Sequence, residues 1–442
     1  MKNVFGTVLT AIVLLASCTQ KAGDYKKFTE DPILYCKTVK KLNDVVLENN
    51  FPPMIAARNY GYANIAAYET MVAGNTKFQS LYGQIKHLPA MPKPEPGKVI
   101  DFSLAALLSF TKVGNAVTFP EGSMMGYYDE LKEKARDAGM TSDILENTLA
   151  FSDTVVAIVL NWSKGDKYAE TRSAEKYTVK DEEGRWVPTP PMYGQAVEPK
   201  WNSIRCMLMD SSSQFMPPRP PVFDIKNKNS QYYKYLAEVK EIGDSLTDEQ
   251  KQIAEFWDDN PFKLNVSGHV MFATKKFSPA GHWMNIVGIA AKEAGADFAT
   301  TVAAYTEVSI ALFDGFISSW DEKFRSNYIR PETAINKYLD DEWRPYIQTP
   351  PFPSYTSAHA TNSAAAAEVM TSWFGDKLSF TDTSSLEFGI ESRQIKSFRE
   401  AAKEAAMSRL YGGIHYRFDN EQGNRAGTKL GEFIVQRLKL KK

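Results

Sequence analysis

A chain of 442 residues exceeds what one compact core usually needs and suits two packed lobes. Its make-up, 43% apolar, 24% charged and 12% aromatic, excludes global disorder and a fibrous fold. With 52 basic against 53 acidic side chains there is no cationic surplus for a general nucleic-acid binder, so any anion site must concentrate positive charge locally.

The N-terminus opens with Lys2, a short apolar run from Val4 to Ala16, and the lipobox Leu15-Ala16-Ser17-Cys18. The run has the proportions of a signal-peptide core and is too short to span a bilayer well. A lipoprotein signal over 1–17, acylation of Cys18 and a tether over 18–30 are expected. A plain secretory signal with an incidental cysteine is the alternative. Thr19, rather than Asp, follows Cys18 and resembles lipoproteins passed to an outer membrane. The expected location is therefore exported and lipid-anchored, periplasmic or surface-facing, with the membrane touched through that anchor only. Cys36 and Cys206 remain for one disulfide, which two cysteines cannot establish.

From about Pro32 the pattern turns helical. Ile55 to Ala73, Leu104 to Phe110, Met124 to Ala138 and Ile144 to Trp162 carry apolar residues at three- and four-residue spacing, with breaks such as Pro92 to Gly97. Between Ser163 and Phe223 the pattern fails. Trp186-Val187-Pro188-Thr189-Pro190-Pro191 and Pro217-Pro218-Arg219-Pro220-Pro221 predict a long ordered loop over 163–223, because proline lacks the amide a helix needs. Helical patterning resumes near Ser230, and strand-like alternation is nearly absent. These features predict an all-α protein of two packed helical bundles. The N-terminal bundle covers 31–245 and carries the loop; the C-terminal bundle covers 246–442.

Three segments carry chemistry. In Trp320-Asp321-Glu322-Lys323 through Arg330-Pro331, the seven-residue spacing sets Lys323 and Arg330 on one helical stripe, with Trp320 a turn earlier. Taken alone, that stripe reads as a solvated face. In Pro351-Phe352-Pro353-Ser354-Tyr355-Thr356-Ser357-Ala358-His359, prolines hold the approach extended before an Ala-rich helix. Ser357 is then an N-cap, and the helix start is also a seat for an anion. His359 beside it can shuttle protons near neutral pH. In Ser408-Arg409 through Asp419, Gly412-Gly413 should break the helix and let Arg409 and His415 converge. Asp419, four residues after His415, can hold its Nδ1–H and leave Nε2 free as a nucleophile or metal ligand.

In this order the segments resemble the three-part signature of the vanadium haloperoxidase and type-2 phosphatidic-acid phosphatase superfamily, over roughly the last 120 residues. The resemblance implies an oxyanion pocket in which Lys323, Arg330, Ser357, the amide of Ala358 and Arg409 bind oxygens. His415 would be the apical group and His359 the general acid–base. The family usually has Gly where Ala358 stands, and the extra methyl can crowd the anion.

The same residues serve two chemistries. In a haloperoxidase His415 ligates vanadate, and peroxide oxidises a halide; in an acid phosphatase His415 attacks a phosphomonoester, with no cofactor, and forms a phosphohistidine. Trp320 and Phe352 look like the aromatic pair flanking the halide in vanadium chloroperoxidases, although ordinary core packing explains them as well. They favour the haloperoxidase first, then the acid phosphatase, then a non-catalytic anion-binding lipoprotein. His282, in Ser278-Pro279-Ala280-Gly281-His282-Trp283, is expected at a helix start, as a structural cap or else lining the pocket mouth, and Asp258 or Asp259 to pair with a pocket arginine.

Overall fold

Side chains that stand in for missing backbone acceptors set most of the helix starts. A computed structural model describes residues 25–442 except 181, 262, 263, 268, 269 and 274, with backbone alone for the strand residues between 264 and 273. The signal over 1–17, Cys18 and most of the tether lie outside the described residues. Asp31 caps α2 (Pro32–Glu48), which follows the short α1 (Tyr25–Thr29). After α3 (Pro53–Val72), Asp101 caps α4 (Phe102–Val117) by accepting from the amide of Leu104 at 2.7 Å. Then come α5 (Met125–Asp137), α6 (Ser142–Ser163) and the short α7 (Tyr168–Ser173).

Ser230 caps α8 (Gln231–Asp244), and Thr247 and Gln250 form a capping box on α9 (Asp248–Phe256). Ser278 caps α10 (Pro279–Glu293) and Asp297 caps α11 (Phe298–Ser326). The remaining helices are α12 (Pro331–Tyr338), α13 (Ala358–Phe374), α14 (Phe398–Tyr411) and α15 (Arg417–Arg437). The all-α expectation holds apart from two small antiparallel ribbons, β1 (Leu264–Ser267) with β2 (Val270–Ala273) and β3 (Phe380–Asp382) with β4 (Arg393–Ile395).

The 29-residue α11 is the central post, buried without a break from Thr301 to Lys323 and packed on α3 and on α13. One apolar core runs from Tyr35 and Leu42 through Val308 and Leu312 to Leu430 and Ile434, joining both halves of the chain. The sequence reading places α8 in the N-terminal bundle. Instead, α8 packs on α12, α14 and α15, because Tyr232, Leu236 and Val239 bury with Tyr328, Leu410 and Tyr416.

The tightest helix pair is α13 with α15. A Cβ on Gly423, Gly427 or Gly431 would stand 2.6, 2.0 or 2.7 Å from the carbonyls of Ser357, Thr361 and Ala365 respectively. Glycine every fourth residue clears one face of α15, so the Ala-rich α13 lies directly on its backbone. That contact fixes the first turn of α13, where the site begins.

The segment 163–223 is held at its side chains and at its backbone by partners on the helices. Asp166 accepts from Arg58 Nε at 2.7 Å and Tyr62 OH at 2.8 Å. Asp314 of α11 accepts from the amides of Met207, Leu208 and Met209 at 2.7 to 2.9 Å. Cys36 and Cys206 are both free thiols.

Candidate functional site

The N-terminus of α13 and the loop before it form the floor of the site. Ser357 Oγ caps the helix by accepting from the amide of Ala360 at 3.3 Å, and its own amide donates to the carbonyl of Asp419 at 3.1 Å. The first-turn amides, Ala358 included, have no acceptor within the helix and present the positive end of its dipole. Ala358, His359, Arg409 and His415 line one narrow cleft.

Lys323 and Arg330 do not share a helical stripe. Asn327 adopts a left-handed conformation at φ 47° and ends α11 at Ser326, and Pro331 forces Arg330 into extended backbone as the N-cap of α12. The two cations therefore reach the site from different elements. Lys323 Nζ donates to the carbonyls of Pro353, Ser354 and Thr356 at 2.9, 3.0 and 2.6 Å. Burial, and then the charge of Arg330, push this ammonium well below its usual range. Three acceptors nevertheless match only an ammonium, since a neutral amine has two N–H bonds. In this arrangement Lys323 holds the loop that carries Ser357 instead of presenting a proton to the cleft.

Arg330 Nε donates to the carbonyl of Phe352 at 2.9 Å and Nη1 to that of Ile414 at 2.7 Å, whereas Nη2 is buried with no hydrogen-bond partner. Arg409 donates through Nε to Ser408 Oγ at 3.0 Å and through Nη2 to the carbonyl of Trp257. Both guanidinium groups are thus fixed by backbone and hydroxyl acceptors.

Gly412-Gly413 ends α14, with Gly413 at φ 75°, and swings His415 back toward Arg330. Asp419 Oδ2 lies 2.8 Å from His415 Nδ1 and also accepts from Ser354 Oγ. Nε2 lies 3.1 Å from Arg330 Nη1, so it faces a donor and is not left open. A guanidinium only donates, which requires the Nδ1–H tautomer with a lone pair on Nε2. Burial, followed by the charges of Arg330, Lys323 and Arg409, holds the His415 ring well below the usual imidazole range. Burial also presses the Asp419 carboxyl upward, opposed by Ser354, Lys323 and Arg330.

His359 is also neutral near pH 7, since burial and then Arg409 push it down to about 4. Its Nε2 is 3.3 Å from Asp259 Oδ2, without hydrogen-bond alignment. Trp320 and Phe352 line the cleft with ring centroids 4.9 Å apart. Lys323 Nζ and the Arg330 guanidinium carbon lie 5.0 and 5.1 Å from the Phe352 centroid. The predicted loop reaches this wall: the carbonyl of Val197 accepts from Trp320 Nε1 at 3.1 Å and its amide donates to Pro351 at 3.1 Å.

A further expectation is corrected. His282 is not at the pocket mouth; it is fully buried behind the cleft, because both ring nitrogens are engaged by carboxylates. Asp259 meets His282 and His359 and Asp258 lies 3.4 Å from Lys276, while both carboxylates line the cleft and act on Arg409 by charge, so the expected link to a pocket arginine is electrostatic. Ser354 and Asp382 escaped sequence reasoning as site residues, since a lone carboxylate or serine carries no local pattern.

The site offers guanidinium donors, helix-start amides, a lone pair on one histidine and a second, neutral histidine able to move a proton. Residues 303–441 match the family model described as the VCPO second helical-bundle domain. Among solved structures, the fold is similar to a bacterial vanadium-dependent iodoperoxidase at 41% identity and TM-score 0.88, covering 92% of this chain and 97% of that one. It is also similar to a bacterial vanadium-dependent chloroperoxidase in its holo form, at 18% identity and TM-score 0.64, covering 88% of this chain and 93% of that one. The apo form gives 18% and 0.63, covering 88% and 95%. No curated protein sequence matches.

Proposed function

Because the chain belongs to the vanadium haloperoxidase superfamily, we propose that its cleft binds vanadate and uses peroxide to oxidise a halide, iodide first. Iodide is favoured by the 41%-identical iodoperoxidase. The observation that carries the reading is His415, pinned through Nδ1 by Asp419 at 2.8 Å with its Nε2 lone pair turned toward the arginine-lined pocket.

The donor set fits a tetrahedral oxyanion. Arg330 Nη2 is a buried donor without a partner, Arg409 lines the cleft, and the first turn of α13 adds Ser357 and the Ala358 amide. The Ala358 methyl also lines the cleft and narrows it at that point. Vanadate, when bound, supplies a Lewis acid that activates peroxide toward a halide.

The protein's own groups do the rest. Arg330 and Arg409 neutralise the anion's charge, and both are held by carbonyl acceptors, while the Arg330 Nη1 contact with His415 Nε2 gives way to the anion. His415 presents Nε2 as the ligand atom, and Asp419 fixes its tautomer. His359 takes up or releases a proton at its ring, poised between the nearby Asp259 carboxylate and the opposing charge of Arg409. Trp320 and Phe352 give the halide an apolar, polarisable wall that excludes water.

We also propose export and lipid anchoring through Cys18, which rests on the Leu15-Ala16-Ser17-Cys18 sequence alone. Among the described residues, no helix is long and apolar enough to cross a membrane.

The test is one purified protein with two assays. With vanadate and hydrogen peroxide it should form triiodide from iodide; without vanadate it should release little phosphate from p-nitrophenyl phosphate. Brisk phosphate release with no halide oxidation would favour the acid phosphatase, and neither activity the non-catalytic anion-binding protein. His415→Ala should abolish halide oxidation.

A further inference from the structure

Four side chains run in a row from the interior to the cleft wall, Asp382, His282, Asp259 and His359, of which the last two line the cleft. His282 Nδ1 is 3.0 Å from Asp259 Oδ1, and Nε2 is 3.0 Å from Asp382 Oδ2. Asp259 Oδ2 then lies 3.3 Å from His359 Nε2. None of these groups is more than 8% exposed.

We propose that His282 and Asp382 are positioning residues that keep the Asp259 carboxylate charged and fixed beside His359. This role deepens the haloperoxidase reading only in naming the proton step that His359 serves.

The chemistry of a doubly bracketed imidazole carries the argument. A neutral ring has one N–H, so one of the two carboxylates would face a lone pair across 3.0 Å. An imidazolium donates to both. Burial alone would favour the neutral ring, but Asp259 and then Asp382 overcome it and raise His282 to about 10. These carboxylates are the charged groups facing the ring, from the segment after α9 and from β3. Trp257 covers it, with ring centroids 4.7 Å apart and planes 25° apart, a stacking that suits a cation. Trp257 is fixed in turn: its Nε1 donates to Glu404 at 2.9 Å, and Arg393 Nε donates to the same carboxylate at 2.8 Å.

The consequence falls on His359. Asp259 is offset by His282, so it pulls a proton onto His359 less strongly than an unpaired buried carboxylate would. His282 and Arg409 add positive charge that disfavours protonation of His359. Asp382 accepts the amide of Ser384 at 2.9 Å, which holds the outer end of the row.

The full chain, labelled with ¹⁵N-histidine and free of vanadate, gives a readout independent of turnover. Its five histidines can be assigned by single His→Gln variants. Both His282 ring nitrogens should remain protonated from about pH 5.5 to about 8.5, where an ordinary histidine titrates near 6.5. In His282→Gln the His359 midpoint should rise by roughly half a unit or more, as the unpaired Asp259 turns to His359. With vanadate, kcat for iodide oxidation should fall roughly ten- to a hundredfold, with its acid limb moved the same way and KM for iodide little changed.

A His282 that titrates in the ordinary range overturns the proposal, as does a His359 midpoint unmoved in His282→Gln. If that variant does not fold, Asp382→Asn decides, because it must lower the His282 midpoint and an unchanged one refutes the bracket. If the titrations behave as expected but no halide is oxidised, the positioning pair stands and the proposed function falls.

Discussion

Asp419→Asn tests the centre of the site most directly. The wild-type carboxylate accepts from His415 Nδ1 at 2.8 Å and from Ser354 Oγ, with His415 3% exposed and Asp419 fully buried. Asparagine keeps the shape and leaves a carbonyl oxygen that can accept from both Nδ1–H and Ser354 Oγ, so the fold should survive. What disappears is the charge on the acceptor. A hydrogen bond to a charged group contributes about 1.5–3 kcal/mol against about 1 for a neutral one. The difference, about 0.5–2 kcal/mol, makes Nε2 a poorer donor to vanadium and loosens the tautomer. At about 1.4 kcal/mol per decade this predicts vanadate binding weakened by roughly two- to thirtyfold. Equilibrium dialysis of the metal-free protein reads that affinity directly, and thermal melting checks the fold. An affinity within the error of wild type, in a folded variant, would show that Asp419 does not tune His415.

Gly427→Ala forces a Cβ to 2.0 Å from the Thr361 carbonyl, so α15 must move off α13; urea denaturation should show a loss of about 1–3 kcal/mol. Asp314→Ala strips the acceptor from three amides of the 207–209 segment, and should lower the urea midpoint and open that segment to limited proteolysis. The neutral His359, held down to about 4, makes stability depend on pH. The unfolded chain takes up this proton near pH 6.5 and the folded chain does not, so stability should fall from about 6.5 toward 4 and level off below. In His359→Gln, melting temperatures over the same range should vary less with pH, and an unchanged slope would assign the effect elsewhere.

What the sequence made legible was local. Each of the three segments is short and contiguous, so Ser357 as a cap, the break at Gly412-Gly413 and the Asp419–His415 pair were all within reach of spacing arguments. The prolines of 163–223 announced an irregular segment, and the Val197 contacts show how it reaches the Trp320 wall. Spacing misled at Arg330, because a seven-residue interval mimics a helical stripe when one Asn in a left-handed conformation intervenes. The row from Asp382 to His359 was beyond reach. Its neighbours are separated by 100, 23 and 100 positions, and only tertiary packing brings them together. The glycines of α15 were in plain view, but their meaning depends on which helix lies opposite.

Lys323 shows why motif residues need not act as their motif suggests. The approach 353–356 must turn its carbonyls inward so that Ser357 can start a helix with its amides facing the cleft, and inward carbonyls in a dry core need donors. The ammonium supplies three at once, to Pro353, Ser354 and Thr356. A positive charge buried this way is costly unless something nearby offsets it, and Asp419, followed by Glu322, supplies the counter-charge. Asp419 is shared with Arg330 and His415. An oxyanion in contact with Arg330 and Arg409 would add further counter-charge to Lys323 through space. Lys323 would then favour the anion by charge and by holding the loop, without itself touching an oxygen.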